Sequence, residues 1–163
     1  MTCLDEDRVP EVVAAVFRMS IGRNRTIDNI HAGGIAGAIN LETGSLGIAS
    51  NLGFDDRLGW LTHHPDTAAQ IEGTVLPMWS DVRRLATSAH NVFDDRVLIG
   101  WDIAITASGP LIIEGNSSPC VDLMQRPLRG RGLRNERFGR LLAHHLRDAR
   151  SRDAFQGATG EVR

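Results

Sequence analysis

Apolar residues along the chain fall into short alternating or continuous runs broken by polar turns, with two stretches of helical period. Thr2 to Leu4 reads as a short strand followed by a turn at Asp5, Glu6 and Asp7. Val9 to Met19 is a valine-rich apolar run interrupted only by Glu11 and Arg18, which predicts one buried strand. Ile35 to Leu41 and Leu46 to Ala49 flank a polar turn in which Gly44 supplies the positive φ. Residues 51–71 have no clear period and contain Gly53, Gly59 and Pro65, so a long functional loop is expected there. Pro77 is placed as the first residue of a helix whose apolar face is Met78, Val82, Leu85, Ala89 and Val92. Arg96 to Thr106 and Pro110 to Asn116 predict two strands joined at Ala107, Ser108 and Gly109. A second helix is expected from about Leu133 to about Ala149, with Phe138, Leu141, Leu142 and His145 on its inner face. These elements define an α+β fold, an antiparallel β-sheet with helices packed on one face, over residues 1–150. A disordered tail is expected at 151–163.

Composition narrows the function classes. At 163 residues and a formal charge of −2, the chain has no basic excess to argue for nucleic acid. No apolar stretch approaches the length of a membrane span, and the acidic N-terminus has no signal-peptide core. Cys3 and Cys120 are far apart and in no metal-like spacing, consistent with free thiols and a cytoplasmic location. All 18 basic residues are arginine and none is lysine.

The second strand pair carries the candidate chemistry. Alternation points Asp102, Ala104 and Thr106 to one face and Trp101, Ile103 and Ile105 to the other. A three-residue loop pairs Thr106 with Pro110, Ala104 with Ile112, Asp102 with Glu114 and Gly100 with Asn116. Directly opposed side chains have Cβ atoms roughly 4.5–5.5 Å apart. Two carboxylates at that separation repel, and neither has a basic neighbour on its own strand, so a positive group between them or a retained proton is required. Two carboxylates and an amide oxygen are hard ligands suited to Mg²⁺. The alternative is two solvated acids at a sheet edge. The apolar flanks and the turn Asn116, Ser117, Ser118, Pro119 favour burial of the pair.

Asp on one strand, then Glu-x-Asn closing the next and Ser-x-Pro after it, resembles the ATP-grasp superfamily. Asp28 to Gly34 (Asp-Asn-Ile-His-Ala-Gly-Gly) is similar to a segment of its glutamate ligases, which carry an arginine where this chain has Ile27, with Arg25 nearby but not aligned. Together with Leu41 to Gly44, His64 to Thr67 and Ile99 to Asp102, the pattern most resembles the sugar-transfer-associated ATP-grasp family. The resemblance implies Asp102, Glu114 and Asn116 as ligands of Mg²⁺ (or Mn²⁺). It implies Asn29, His31, Gly33 and Gly34 as contacts to ATP phosphates, with the glycines admitting backbone N–H groups to an anion. It makes Arg18 a catalytic contact to phosphate or carboxylate; the alternative is a surface arginine at a strand end. The implied activity is Mg-ATP-dependent joining of a carboxylate to an amine or related acceptor, in polysaccharide or sugar-transfer metabolism.

Three further readings follow. The superfamily's N-terminal part provides phosphate-binding lysines that a lysine-free chain cannot, and the chain opens inside a hairpin. Both point to a C-terminal half, acting with a separate N-terminal half or persisting as a non-catalytic remnant or binding module. Adjacent histidines at 63–64 and 144–145 point apart, which favours structural roles over a zinc site. Arg126, Arg129, Arg131 and Arg134 form either a solvated face or a contact to an anionic substrate.

Overall fold

The computed structural model describes residues 1–22, 29–51, 59–129 and 136–159. Among the described residues all strand pairings are antiparallel and form two sheets rather than one, and the fold is α+β. Strands β1 (Thr2–Leu4) and β2 (Pro10–Val12) form a hairpin whose turn is held by Asp5, its Oδ1 accepting from Asp7 N at 2.9 Å and Val9 N at 2.7 Å. The apolar run from Val9 to Met19 is not one strand. After β2 the chain crosses through buried Val13 and Ala14 and enters a second sheet as β3 (Val16–Met19). A strand covered on both faces and a chain that changes sheets through the core both demand unbroken apolar residues, so the pattern could not separate them.

In the second sheet β3 pairs with β4 (Ile35–Ile39), and β4 with β5 (Leu46–Ser50). The β4–β5 turn matches its sequence reading. Gly44 sits at φ 76°, and a Cβ there would lie 2.6 Å from Trp79 Cγ, so the position needs glycine for both conformation and space. Of the expected 51–71 loop, residues 52–58 lie outside the described residues. The remainder is more ordered than a loop, with bridges from Ala49 to Leu61 and from His63 to Gln70.

Helix α1 (Trp79–His90) starts two residues after Pro77, because Met78 caps it in a left-handed conformation at φ 54°. Its buried face is Trp79, Val82, Ala86 and His90. Val92 is 76% exposed in the 3-10 turn that follows, so the expected face was rotated, with Val82 the shared buried position. The third hairpin is β6 (Leu98–Thr106) and β7 (Gly109–Asn116), and the first sheet runs β2-β1-β6-β7. A short helix α2 (Asp122–Gln125) precedes α3 (Glu136–Thr159), which continues well past Ala149. On α3, Phe138 and Leu141 are buried as expected, whereas Leu142 is 45% exposed.

The helices do not share one face of the first sheet. Cys3 packs in a cluster with Phe138 and Leu141 of α3, while its neighbour Thr2 bonds His90 of α1. Successive residues of a strand point to opposite faces, so α1 and α3 cover opposite sides. A second apolar cluster (Ile35, Ile39, Leu46, Ala49, Ile71, Leu76, Trp79, Val82) fills the space between the second sheet and α1. Ile103 and Ile105 pack against it and join the two sheets.

Candidate functional site

The β6–β7 hairpin brings Asp102 directly opposite Glu114, and Gly100 opposite Asn116, as the register predicts. The route is different. The turn has two residues rather than three, so Thr106 pairs with Gly109 and Ala104 with Leu111. A bulge at Ile113 returns the missing residue just before Glu114. The two one-residue changes cancel at the site, and the acids stay on one face of the ribbon. Gly115, between Glu114 and Asn116, faces Trp101: a Cβ there would lie 2.7 Å from the indole ring, so this middle position must be glycine for Trp101 to lie across the strand pair.

A positive group does stand beside the acids, but it comes from the other sheet. Arg18 on β3 donates from Nη2 to Asp102 Oδ2 at 3.1 Å, with side chains 27% and 32% exposed. Glu114 accepts at Oε1 from Asn116 Nδ2 at 2.9 Å. Glu114 and Asn116 are exposed, contrary to the expected burial, because β7 is the sheet edge. Proximity of the acids therefore does not by itself demand a metal ion. Arg18 and Asp102 also line a cleft of about 270 Å³ between β3 and β6, walled by Phe17, Trp79, Ala104 and Met124. Nearby, burial pulls the Met1 amino group down to about 6, and the charge of Asp102 acts against that shift.

Asn29 to Gly34 forms a compact turn where β4 begins, next to Met19 and Ile35, the pair adjoining Arg18 and Ala36. Asn29 Oδ1 accepts from His31 N at 2.9 Å, and Gly33 closes the 3-10 turn at φ 99°. Gly33 N donates to Ile30 O and Gly34 N to Asn29 O, so these N–H groups are committed inside the turn. The glycines shape the loop. An anion there would be met by the Asn29 amide and the exposed His31 ring instead. Ile27, Arg25 and Asp28 lie outside the described residues.

One histidine of each adjacent pair is tied to backbone, while His63 meets the Thr62 hydroxyl and His144 the Asp148 carboxylate. His64 Nε2–H donates to Ser20 O at 2.9 Å and His145 Nε2–H to Leu4 O at 2.8 Å. Among the described residues no three His, Cys, Asp or Glu side chains converge as a metal site. His90, which periodicity passed over, is fully buried. Trp101 Nε1–H donates to Thr2 Oγ1 at 2.8 Å, the Thr2 hydroxyl donates to His90 Nδ1 at 2.7 Å, and His90 Nε2–H donates to Arg96 O at 2.8 Å. Because a carbonyl only accepts, the last bond assigns the tautomer. Arg126 and Arg129 gather over Trp60, while Arg131 and Arg134 lie outside the described residues. Cys120 is exposed.

The chain belongs to the sugar-transfer associated ATP-grasp family, whose model matches residues 1–139. Neither a curated relative nor a solved structure matches it. ATP-grasp proteins generally use ATP with Mg²⁺, so membership implies ATP as a partner of the protein. Among the described residues no helix is long and apolar enough to cross a membrane.

Proposed function

We propose that this chain is the C-terminal part, residues 1–150, of a Mg-ATP-dependent carboxylate–amine or related ligase, in polysaccharide or sugar-transfer metabolism. The observation that carries the reading is the opposition of Asp102 and Glu114 at the end of the β6–β7 hairpin, with Asn116 beside them and Arg18 in contact. The donor set fits Mg²⁺ or Mn²⁺: two carboxylates and an amide oxygen, and because Asn116 turns its Nδ2 to Glu114, its Oδ1 is left for a cation. Bound there, the ion would neutralise phosphate charge during transfer of a phosphoryl group to the carboxylate substrate. Arg18, a guanidinium at the wall of the cleft, would hold the same phosphate or the substrate carboxylate through its planar fork. Asn29 and His31 would add hydrogen bonds to phosphate oxygens from the β3–β4 connection, and Gly33 and Gly34 would keep that connection tight.

Calorimetric titration with Mg-ATP tests this. Asp102→Asn and Glu114→Gln are expected to lose at least tenfold in metal-dependent nucleotide affinity; unchanged binding in both rejects the assignment. The alternative is a non-catalytic ATP-grasp remnant or binding module. It is favoured by the way Arg18 and Asn116 already satisfy the two acids, and by the absence of lysine. No binding heat at millimolar Mg-ATP supports it. Recovery of binding or turnover on adding a separately encoded N-terminal half supports a split ligase.

A further inference from the structure

Among the described residues, two arginines near the β5 edge of the second sheet have no acidic partner. The guanidinium carbons of Arg126 and Arg129 lie 5.3 and 5.5 Å from the centroid of the same Trp60 ring, which is 44% exposed. Neither arginine forms an ion pair with any described residue. Arg126 is anchored: its Nε donates to Ser50 Oγ at 3.0 Å, and the buried Ser50 hydroxyl in turn donates to Gly59 O at 3.1 Å. Arg129 is aimed by a left-handed backbone at φ 54°, a conformation a non-glycine residue adopts at a cost.

A cation over an exposed aromatic ring gains little, and drawing two like charges onto one ring offsets part of it. What the arrangement provides is two planar guanidinium forks held in place by stacking. Among the described residues no hydrogen-bond partner takes the two Nη groups of Arg126. Such forks match the paired oxygens of phosphate and carboxylate. We infer that Arg126 and Arg129, stacked on Trp60 and anchored through Ser50, form a second binding site, for an oxyanion group of a small-molecule ligand.

The sheet relates this site to Arg18. Arg18 pairs with Ala36 and Ala36 with Ser50, so the three lie in one row across β3, β4 and β5 with side chains on one face. At about 4.8 Å per strand, Ser50 is rooted about 10 Å from Arg18. The inferred site uses neither Asp102 nor Glu114 and does not depend on a metal there.

The full chain, labelled with ¹⁵N, is titrated with inorganic phosphate and with malonate at constant ionic strength in the presence of EDTA, following the three indole N–H signals. The expected result is a saturable shift of the Trp60 signal while those of Trp79 and Trp101 stay in place. Arg129→Gln is expected to weaken it tenfold or more. Arg129 is exposed and its side chain contacts Trp60, so this variant keeps the fold. Response to phosphate alone assigns a phosphate ester, response to malonate alone a carboxylate, and response to both the shared chemistry. A shift reproduced by chloride, equal affinity in Arg129→Gln, or no saturable shift of Trp60 overturns the inference.

Discussion

At the residue scale, the Arg18–Asp102 contact sets the terms for any cation. A guanidinium already holds one oxygen of Asp102, so an ion on that carboxylate must compete with it. Both side chains are about one-third exposed, which limits the pair to roughly 1 kcal/mol. Arg18→Gln is therefore expected to raise Mn²⁺ affinity about fivefold when measured by electron paramagnetic resonance, yet to lower affinity for Mg-ATP, because the fork that would meet phosphate is lost. Parallel loss of both affinities would instead make Arg18 a purely structural support. The two thiols offer an independent check on packing. Burial, followed by the charge of Glu11, pushes the Cys3 thiol up to about 11, whereas Cys120 is exposed. One thiol is expected to react with a disulfide reagent at pH 8 in the native chain, and two in denaturant. The folded state holds the Cys3 proton more tightly than the unfolded state does. This contribution to stability is complete below the ordinary thiol range and is lost as pH rises toward 11.

At the scale of elements, the hairpin that carries the acids depends on His90. One buried imidazole joins the end of α1 to β1 through Thr2 and to the segment just before β6 through Arg96 O, and Thr2 also accepts from Trp101, the residue before Asp102. His90→Ala leaves a cavity and a buried hydroxyl without its acceptor, an expected loss of about 2–4 kcal/mol. Urea denaturation measures it; a loss below about 1 kcal/mol would show that the relay is not what joins these elements. The Asp102–Glu114 opposition was legible in the sequence because it is local. Alternation and a short turn nearly determine which residues face each other, and the Ile113 bulge compensates for the shorter turn. The face of α1 was not legible. His90 is buried because Thr2 and Arg96 O receive it, and periodicity counts a histidine as polar wherever its partners are.

For the whole molecule, two sheets meet where Ile103 and Ile105 pack on the β3–β4–β5 core, and this junction brings Arg18 to Asp102. A ligand that binds the folded chain at a hundred times its Kd adds about 2.7 kcal/mol of stability. If the chain alone holds Mg-ATP, its melting temperature is expected to rise by roughly 5–10 °C under those conditions. If the rise appears only with an added N-terminal half, the site is completed between two pieces.

The α+β class, the β6–β7 hairpin, the glycine at 44, the facing of the two acids and the resemblance to the family to which the chain belongs were all readable from the amino-acid order. Each depends on residues close along the chain, whose relative placement follows from backbone geometry and side-chain period. Long-range packing was needed to show that the run from Val9 to Met19 serves two sheets, that the helices take opposite faces, and that the cation beside Asp102 is an arginine 84 residues away. The meeting of Ser50, Trp60, Arg126 and Arg129 is of the same kind. An apolar or charged pattern tells that a residue is covered or solvated, but its partner is chosen by which surfaces pack together, and that choice belongs to the whole chain.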